Sequence, residues 1–192
     1  MAIWFTSDTH YGHKNIVRGV SSWGNKSGCR DFDTIEEMND AMVDSINACV
    51  GPNDILYHLG DVAMGLFENV AEFRSRLQCK NIHLILGNHD HHIRKNRDNV
   101  HRLFSTIEKV YFKKIEDVQI MMCHFPMLVW EDHHRGTWHL HGHSHGHLDD
   151  PVYYQRKVLD VGMDAHPEFR PYAMDEIRGI MESRSIQKID HH

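Results

Sequence analysis

The chain is poor in proline, with 5 in 192 residues, and its four cysteines (Cys29, Cys49, Cys79 and Cys123) are scattered. No two of them have the C-x-x-C spacing of a zinc knuckle or redox dithiol, so reduced thiols in a cytoplasmic protein are expected. Basic charge is not in excess: 21 Lys and Arg stand against 27 Asp and Glu, for a net charge of −6. Such a chain is a poor candidate for holding duplex DNA through its phosphates, and no stable duplex binding is expected. No apolar run approaches the ~20 residues of a membrane helix, so no membrane partner is expected. The opening Met1–Phe5 lacks the basic start of a signal peptide. No linker or repeat interrupts the sequence, so one domain over residues 1–192 is expected, as a monomer or homodimer. Histidine alone is plentiful, at 19 residues.

Local patterns give an α/β reading. Ile3-Trp4-Phe5 reads as a short buried strand, followed by a long polar loop over 11–33. Thr34, with Glu37 three residues on, forms a capping box, and Met38, Met42, Ile46 and Cys49 follow at helical spacing until Gly51-Pro52. Asp54–His58 is a second strand, and Phe67, Val70, Phe73 and Leu77 mark a second helix. Ile82–Leu86, Val118–Cys123, Trp138–His141 and Lys157–Val161 read as further strands, and Ala173–Met181 as a closing helix.

Strand after strand ends on Asp, His or Asn, and in open α/β sheets such ends converge on one crevice. Asp8 and His10 are two apart, as are His143 and His145; in extended backbone such pairs point to one side and can reach one ion. Asp61, Asn88 and His124 each follow a strand directly. Carboxylate, amide and imidazole ligands together suit borderline divalent ions such as Mn²⁺, Fe²⁺ or Zn²⁺. Taken alone, the His139–His147 run reads equally as an adventitious nickel-binding surface. The ordered set of D-x-H, G-D, G-N-H-D, H and G-H-x-H does not have that ambiguity.

With SDTH (7–10), GD (60–61), GNHD (87–90), CHFP (123–126) and GHSH (142–145), the sequence resembles the calcineurin-like metallophosphoesterase superfamily, in its small, uncapped bacterial and phage branch. The resemblance runs from about Ile3 to about Ile177. It implies a four-layer α-β-β-α sandwich of two mixed sheets with a two-metal site at one end. Asp8, His10, Asp61 and His145 would hold the first ion, and Asp61, Asn88, His124 and His143 the second, with Asp61 bridging. Mn²⁺ is the expected metal, with iron, Zn²⁺ or Ni²⁺ as alternatives. A bridging hydroxide would attack phosphorus in line while His89 protonates the leaving oxygen, with Asp90 orienting His89.

Outside that set, His58 reads as support for the ligands. His13 and Arg30, in the loop beside the first pair, are candidate substrate contacts. Trp23, Trp130 and Trp138 are candidates for stacking on a base. Val62-Ala63-Met64-Gly65 lacks the Asp and Arg that accompany Gly-Asp in protein Ser/Thr phosphatases, and the short motif spacings leave no room for a capping domain. The expected activity is hydrolysis of small, nucleotide-like phosphodiesters. A phosphomonoesterase or single-strand nuclease is the alternative. A non-catalytic scaffold is disfavoured because every ligand is present.

Overall fold

The computed structural model describes residues 1–96, 100–148, 150, 153 and 155–186, so the far end of the expected domain lies outside the described residues. The elements in chain order are β1 (Ile3–Thr6), α1 (Ile35–Cys49), β2 (Ile55–His58), α2 (Phe67–Arg76), β3 (Asn81–Ile85), α3 (His91–Lys95), β4 (Thr106–Glu108), β5 (Val110–Ile115), β6 (Val118–Cys123), β7 (Trp138–His141), β8 (Val158–Asp160), β9 (Tyr172–Ala173) and α4 (Met174–Glu182). The capping box at α1 forms as its sequence requires: the Glu37 amide donates to the Thr34 hydroxyl at 3.1 Å, and the Thr34 amide to the Glu37 carboxylate at 3.2 Å.

The strands form two mixed sheets. In the first, ordered β4-β3-β2-β1-β9, only the short β9 runs antiparallel. In the second, ordered β5-β6-β7-β8, β5 and β6 are an antiparallel hairpin and the rest is parallel. Side chains alternate across the first sheet with period two. Leu56, Ile82 and Leu84 face Met42 and Ile46 of α1 and Val70 and Phe73 of α2. Phe5, Tyr57 and Ile85 point the other way, into a core shared with Ile120, Met122 and Leu140 of the second sheet and closed by Ile177 and Met181 of α4. Burial on both faces explains why these strands read as near-continuous apolar runs. The outer face of the second sheet packs Met121 and Val158 against Trp130, beside a 3₁₀ turn at His133–Arg135. A helical cover on that face, part of the four-layer expectation, is not among the described residues.

Three strands escape the apolar pattern. β5 lies at a sheet edge and carries Lys113 and Lys114, a charge that suits an edge and hides the strand from a hydrophobicity reading. β4 and β9 are three and two residues long. Among the described residues, no helix is long and apolar enough to cross a membrane.

Ile120 is fully buried between the sheets, in the body of β6 ahead of its His124 end. Ile120→Ala should cost about 2–5 kcal/mol of stability, read as a lower urea midpoint, with bound metal per folded chain unchanged. Leu66→Ala, at a side chain 66% exposed, should stay within ~0.5 kcal/mol.

Candidate metal centre

The carboxyl ends of the parallel strands in both sheets meet along one seam. Ser7, just after β1, pairs with Gly162, just after β8, and the Met163 amide donates to the Ser7 carbonyl at 3.0 Å. The Asp8 carboxylate reaches across and accepts from the His143 amide at 2.9 Å. The approach is so close that a Cβ on Gly142 would overlap the Ser7 hydroxyl and the Asp8 carboxylate, and one on Gly87 would overlap Asp61. This packing is the physical reason for glycine in the GNHD and GHSH segments.

The seam gathers Asp8, His10 and His145 into one group and Asp61, His124 and His143 into another, each with ligand atoms within 4.8 Å of one another. Asp61 joins them: its Oδ2 lies 3.7 Å from His10 Nε2 and 3.3 Å from His124 Nε2. Asn88 Oδ1 lies 3.0 Å from His124 Nε2. The backbone reaching these positions is not extended, as the two-residue spacing had suggested. Asp8, His10, Asp61, His143 and His145 have φ of 55, 47, 55, 69 and 49°, which places five ligand candidates in the left-handed region. The chain has left the strands at these points, so left-handed turns rather than strand alternation bring each pair together. Non-glycine residues in that region cost of order 1–3 kcal/mol each, and they cluster here.

The donor chemistry fits two divalent ions. Asp8 Oδ1 is buried with no hydrogen-bond partner, 3.8 Å from His10 Nε2 and 3.7 Å from His145 Nε2. Atoms each ~2.1 Å from one ion stand roughly 3.0–3.4 Å apart, so modest closure would complete a coordination shell. The imidazoles are prepared for this. His124 Nδ1 donates to the Leu59 carbonyl at 2.7 Å and His145 Nδ1 to Asp164 at 2.6 Å, which leaves Nε2 of each free to ligate. His58 Nε2 donates to the Thr9 hydroxyl at 2.9 Å, which donates to the Val62 carbonyl at 2.7 Å, tying together the loops that carry His10 and Asp61.

With protons alone in the site, the charges are poorly matched. Burial pushes the Asp8 carboxyl up to about 6, despite opposing fields from His145 and His124. Burial also works against a charged His124, but hydrogen bonding and the field of Asp61 raise it to about 8. Burial holds His10 well below the usual imidazole range. Burial works against an ionised Asp61, but His124 and His10 keep it low.

The substrate and acid candidates fall differently. The His89 amide donates to Asp61 Oδ1 at 2.8 Å, while its ring makes no hydrogen bond among the described residues and lies 5.5 Å, edge-on, from the His10 ring. Asp90 does not orient that ring. Its oxygens accept from the amides of Asp61, Val62 and Gly87, holding the backbone of two ligand loops. His13 sits beside the centre, its ring 5.4 Å from His10, and burial lowers it to about 4. Arg30 is buried, and its N–H groups go to Asp164, the Thr9 and Asp8 carbonyls and the Met38 sulfur. Its guanidinium therefore anchors the first ligand loop instead of facing a phosphate, because every donor is engaged.

The sequence reading missed Asp164 and Asp160. Asp164 bridges Arg30 and His145, and Asp160 accepts from the Gly146 and Gly162 amides at 3.0 and 2.8 Å. A signal was present, since Asp160 ends β8 as the other acidic and histidine residues end theirs.

Two metal-content predictions follow from the wiring. Asp61→Asn should lower bound metal at both positions and Asp8→Asn mainly at one; equal stoichiometry by elemental analysis would refute the bridge. Asp164→Asn should weaken metal binding roughly 10–100-fold in a chelator competition, because His145 loses the carboxylate that fixes its tautomer.

The sequence model of the calcineurin-like phosphoesterase family matches residues 1–160. An uncharacterized protein of Methanocaldococcus jannaschii, MJ1445, is 28% identical over 96% of this chain and 93% of its own. The Gene 66 protein of Mycobacterium phage L5 is 27% identical over 84% of this chain and 86% of its own. A protein of unknown function from Aquifex aeolicus, AQ665, has the same fold, with a TM-score of 0.68 at 20% identity over 93% of this chain and 98% of that one. Because the matched residues contain every ligand candidate gathered at the seam, the conclusion is direct: the chain belongs to the calcineurin-like phosphoesterases, metal-dependent hydrolases of phosphoric esters with a dinuclear divalent centre.

Proposed function

We propose that the protein hydrolyses small phosphodiesters with nucleotide-like arms by direct attack of water, with Mn²⁺ as the preferred metal. The observation that carries the diester reading is the full engagement of Arg30. The Arg30 guanidinium beside the first ligand loop is held by Asp164 and backbone carbonyls, so it supplies no clamp for the second charge of a terminal phosphate. A diester monoanion needs none. Two dications against the carboxylates of Asp8 and Asp61 leave the centre positive enough to attract it.

Asp8, His10 and His145 would hold one ion, Asn88, His124 and His143 the other, and Asp61 both. Bound there, the ions supply Lewis acidity to the phosphoryl oxygens and make water acidic enough to act near neutral pH. The protein's own groups do the rest. His124 and His145 are tied through Nδ1 to the Leu59 carbonyl and Asp164, so Nε2 is the atom each would turn to an ion. The buried His58–Thr9 pair and Asp90 fix the loops. His89 delivers a proton to the departing oxygen, a role supported by its unengaged ring at the edge of the centre. His143 and Asn88 are exposed, so the second position opens to solvent and small esters can enter. The mixed oxygen and nitrogen donor set supports Mn²⁺ over a purely soft metal. Four free thiols accord with a cytoplasmic setting.

A panel of phosphate esters run in parallel with Mn²⁺, Ni²⁺, Zn²⁺ and Mg²⁺ tests the reading. Diester turnover should exceed monoester turnover, and a reversed order, or activity confined to single-stranded nucleic acid, would replace it. His89→Ala should retain metal, lose little activity on a nitrophenyl ester, and lose ~10²–10⁴-fold on a nucleoside ester whose alkoxide needs a proton. An equal loss on both would remove the acid role.

A further inference from the structure

Two large aromatic side chains stand on the rim of the centre, on different ligands. Phe125 follows His124 directly and is 44% exposed. Its ring lies 4.8 Å from the His143 ring and 5.1 Å from the His124 ring, edge to face with both. Trp23 is 45% exposed, with its ring 5.9 Å from His13 at 84°, and His13 in turn lies 5.4 Å from His10. One ring therefore adjoins the second metal group and the other leans, through His13, on the first. The other tryptophans proposed for stacking are buried: Trp130 donates its indole N–H to the Thr137 carbonyl, and Trp138 lies between the sheets.

Both rings stand on fixed backbone. The Met127 amide donates to the buried His139 ring at 3.1 Å, which anchors the segment just after Phe125. The Trp23 amide donates to the Ser21 hydroxyl at 3.2 Å, and Ser22 donates twice to the Asn15 side chain, at 3.1 and 2.9 Å. Single exposed apolar side chains are common on protein surfaces, and what sets these two apart is that both pack against imidazoles of one polar centre. The shape of the occupant follows from the chemistry. A phosphodiester anchored by its phosphorus extends one organic arm to each side, and flat rings gain most from flat partners.

We propose that Phe125 and Trp23 are the specificity-determining residues of this centre, each receiving a planar aromatic arm of the phosphodiester, as a nucleobase provides. The inference rests on the diesterase reading above and adds which arms the site selects. Neither ring touches the reacting atoms. Each sets affinity for the arm while the metals and His89 set the chemistry.

The test holds the leaving group constant and varies the other arm. Mn²⁺-loaded protein is assayed on the p-nitrophenyl esters of thymidine 5′-phosphate, phenyl phosphate and ethyl phosphate. Wild type should prefer the thymidine ester over the ethyl ester. Phe125→Ala or Trp23→Ala should reduce that preference about tenfold, mainly through KM, with metal content intact. Phe125→Trp and Trp23→Phe should restore it. A phenyl arm that is favoured as strongly as thymidine assigns the rings to planar arms generally, whereas favour for thymidine alone assigns them to nucleosides. A second readout needs no turnover: by calorimetry, AMP should bind the loaded wild type more tightly than inorganic phosphate, and an alanine variant should lose about tenfold for AMP and nothing for phosphate. Should wild type cleave no diester, the functional reading fails and the AMP measurement alone decides the rings. An unchanged preference and unchanged AMP affinity in both alanine variants would overturn the proposal.

Discussion

The site depends on holding an ionised Asp8 where there is no water. Its side chain is fully buried, one oxygen is committed to the His143 amide, and the other faces only imidazole nitrogens. A lone buried carboxylate is among the most expensive groups a protein can carry. With no cation present, it shifts toward the protonated form, up to about 6. The surrounding structure supplies the conditions under which a cation, rather than a proton, resolves that charge: imidazoles aimed at it through Nε2, a shared Asp61, and loops fixed by Arg30 and Asp90.

Those conditions require both sheets. Asp8, Asp61 and Asn88 come from strand ends of the first sheet, and His124, His143 and His145 from the second. Neither sheet alone assembles either group in full, because His145 completes the first and Asp61 the second. The inter-sheet core of Phe5, Tyr57, Ile120 and Leu140 holds the two sheets face to face, so the two halves of each group come together only in the folded chain.

Much of this was legible in the sequence, for identifiable reasons. Residues buried on both faces of parallel strands leave apolar runs, and the polar residue ending each run marks the crevice. The capping box gave the start of α1. What stayed hidden depended on contacts between distant segments. Asp164 binds His145 and Arg30, which lies 134 positions away from it, and no local pattern reports that. Asp90 adjoins His89 in sequence, and proximity suggested a partnership, whereas backbone amides of the neighbouring loop after β2 claim its oxygens. Arg30 sits in a loop beside the first ligands and looked available for phosphate, but it is buried as a clamp. β5 was concealed by edge charge. The left-handed turns at the ligands were concealed because their residues are chosen for chemistry and not for conformation.

The glycines at the seam set where such a protein can change over time. At Gly87 and Gly142 even a methyl group would collide with a carboxylate that the centre needs, so these positions have no neighbouring genotype that keeps the site. The loops bearing Trp23 and Phe125 are exposed and meet no such limit. Divergence among relatives at 20–28% identity can then run freely around the rim while the seam stays fixed, and one hydrolytic engine can be passed between substrates by redrawing its margin.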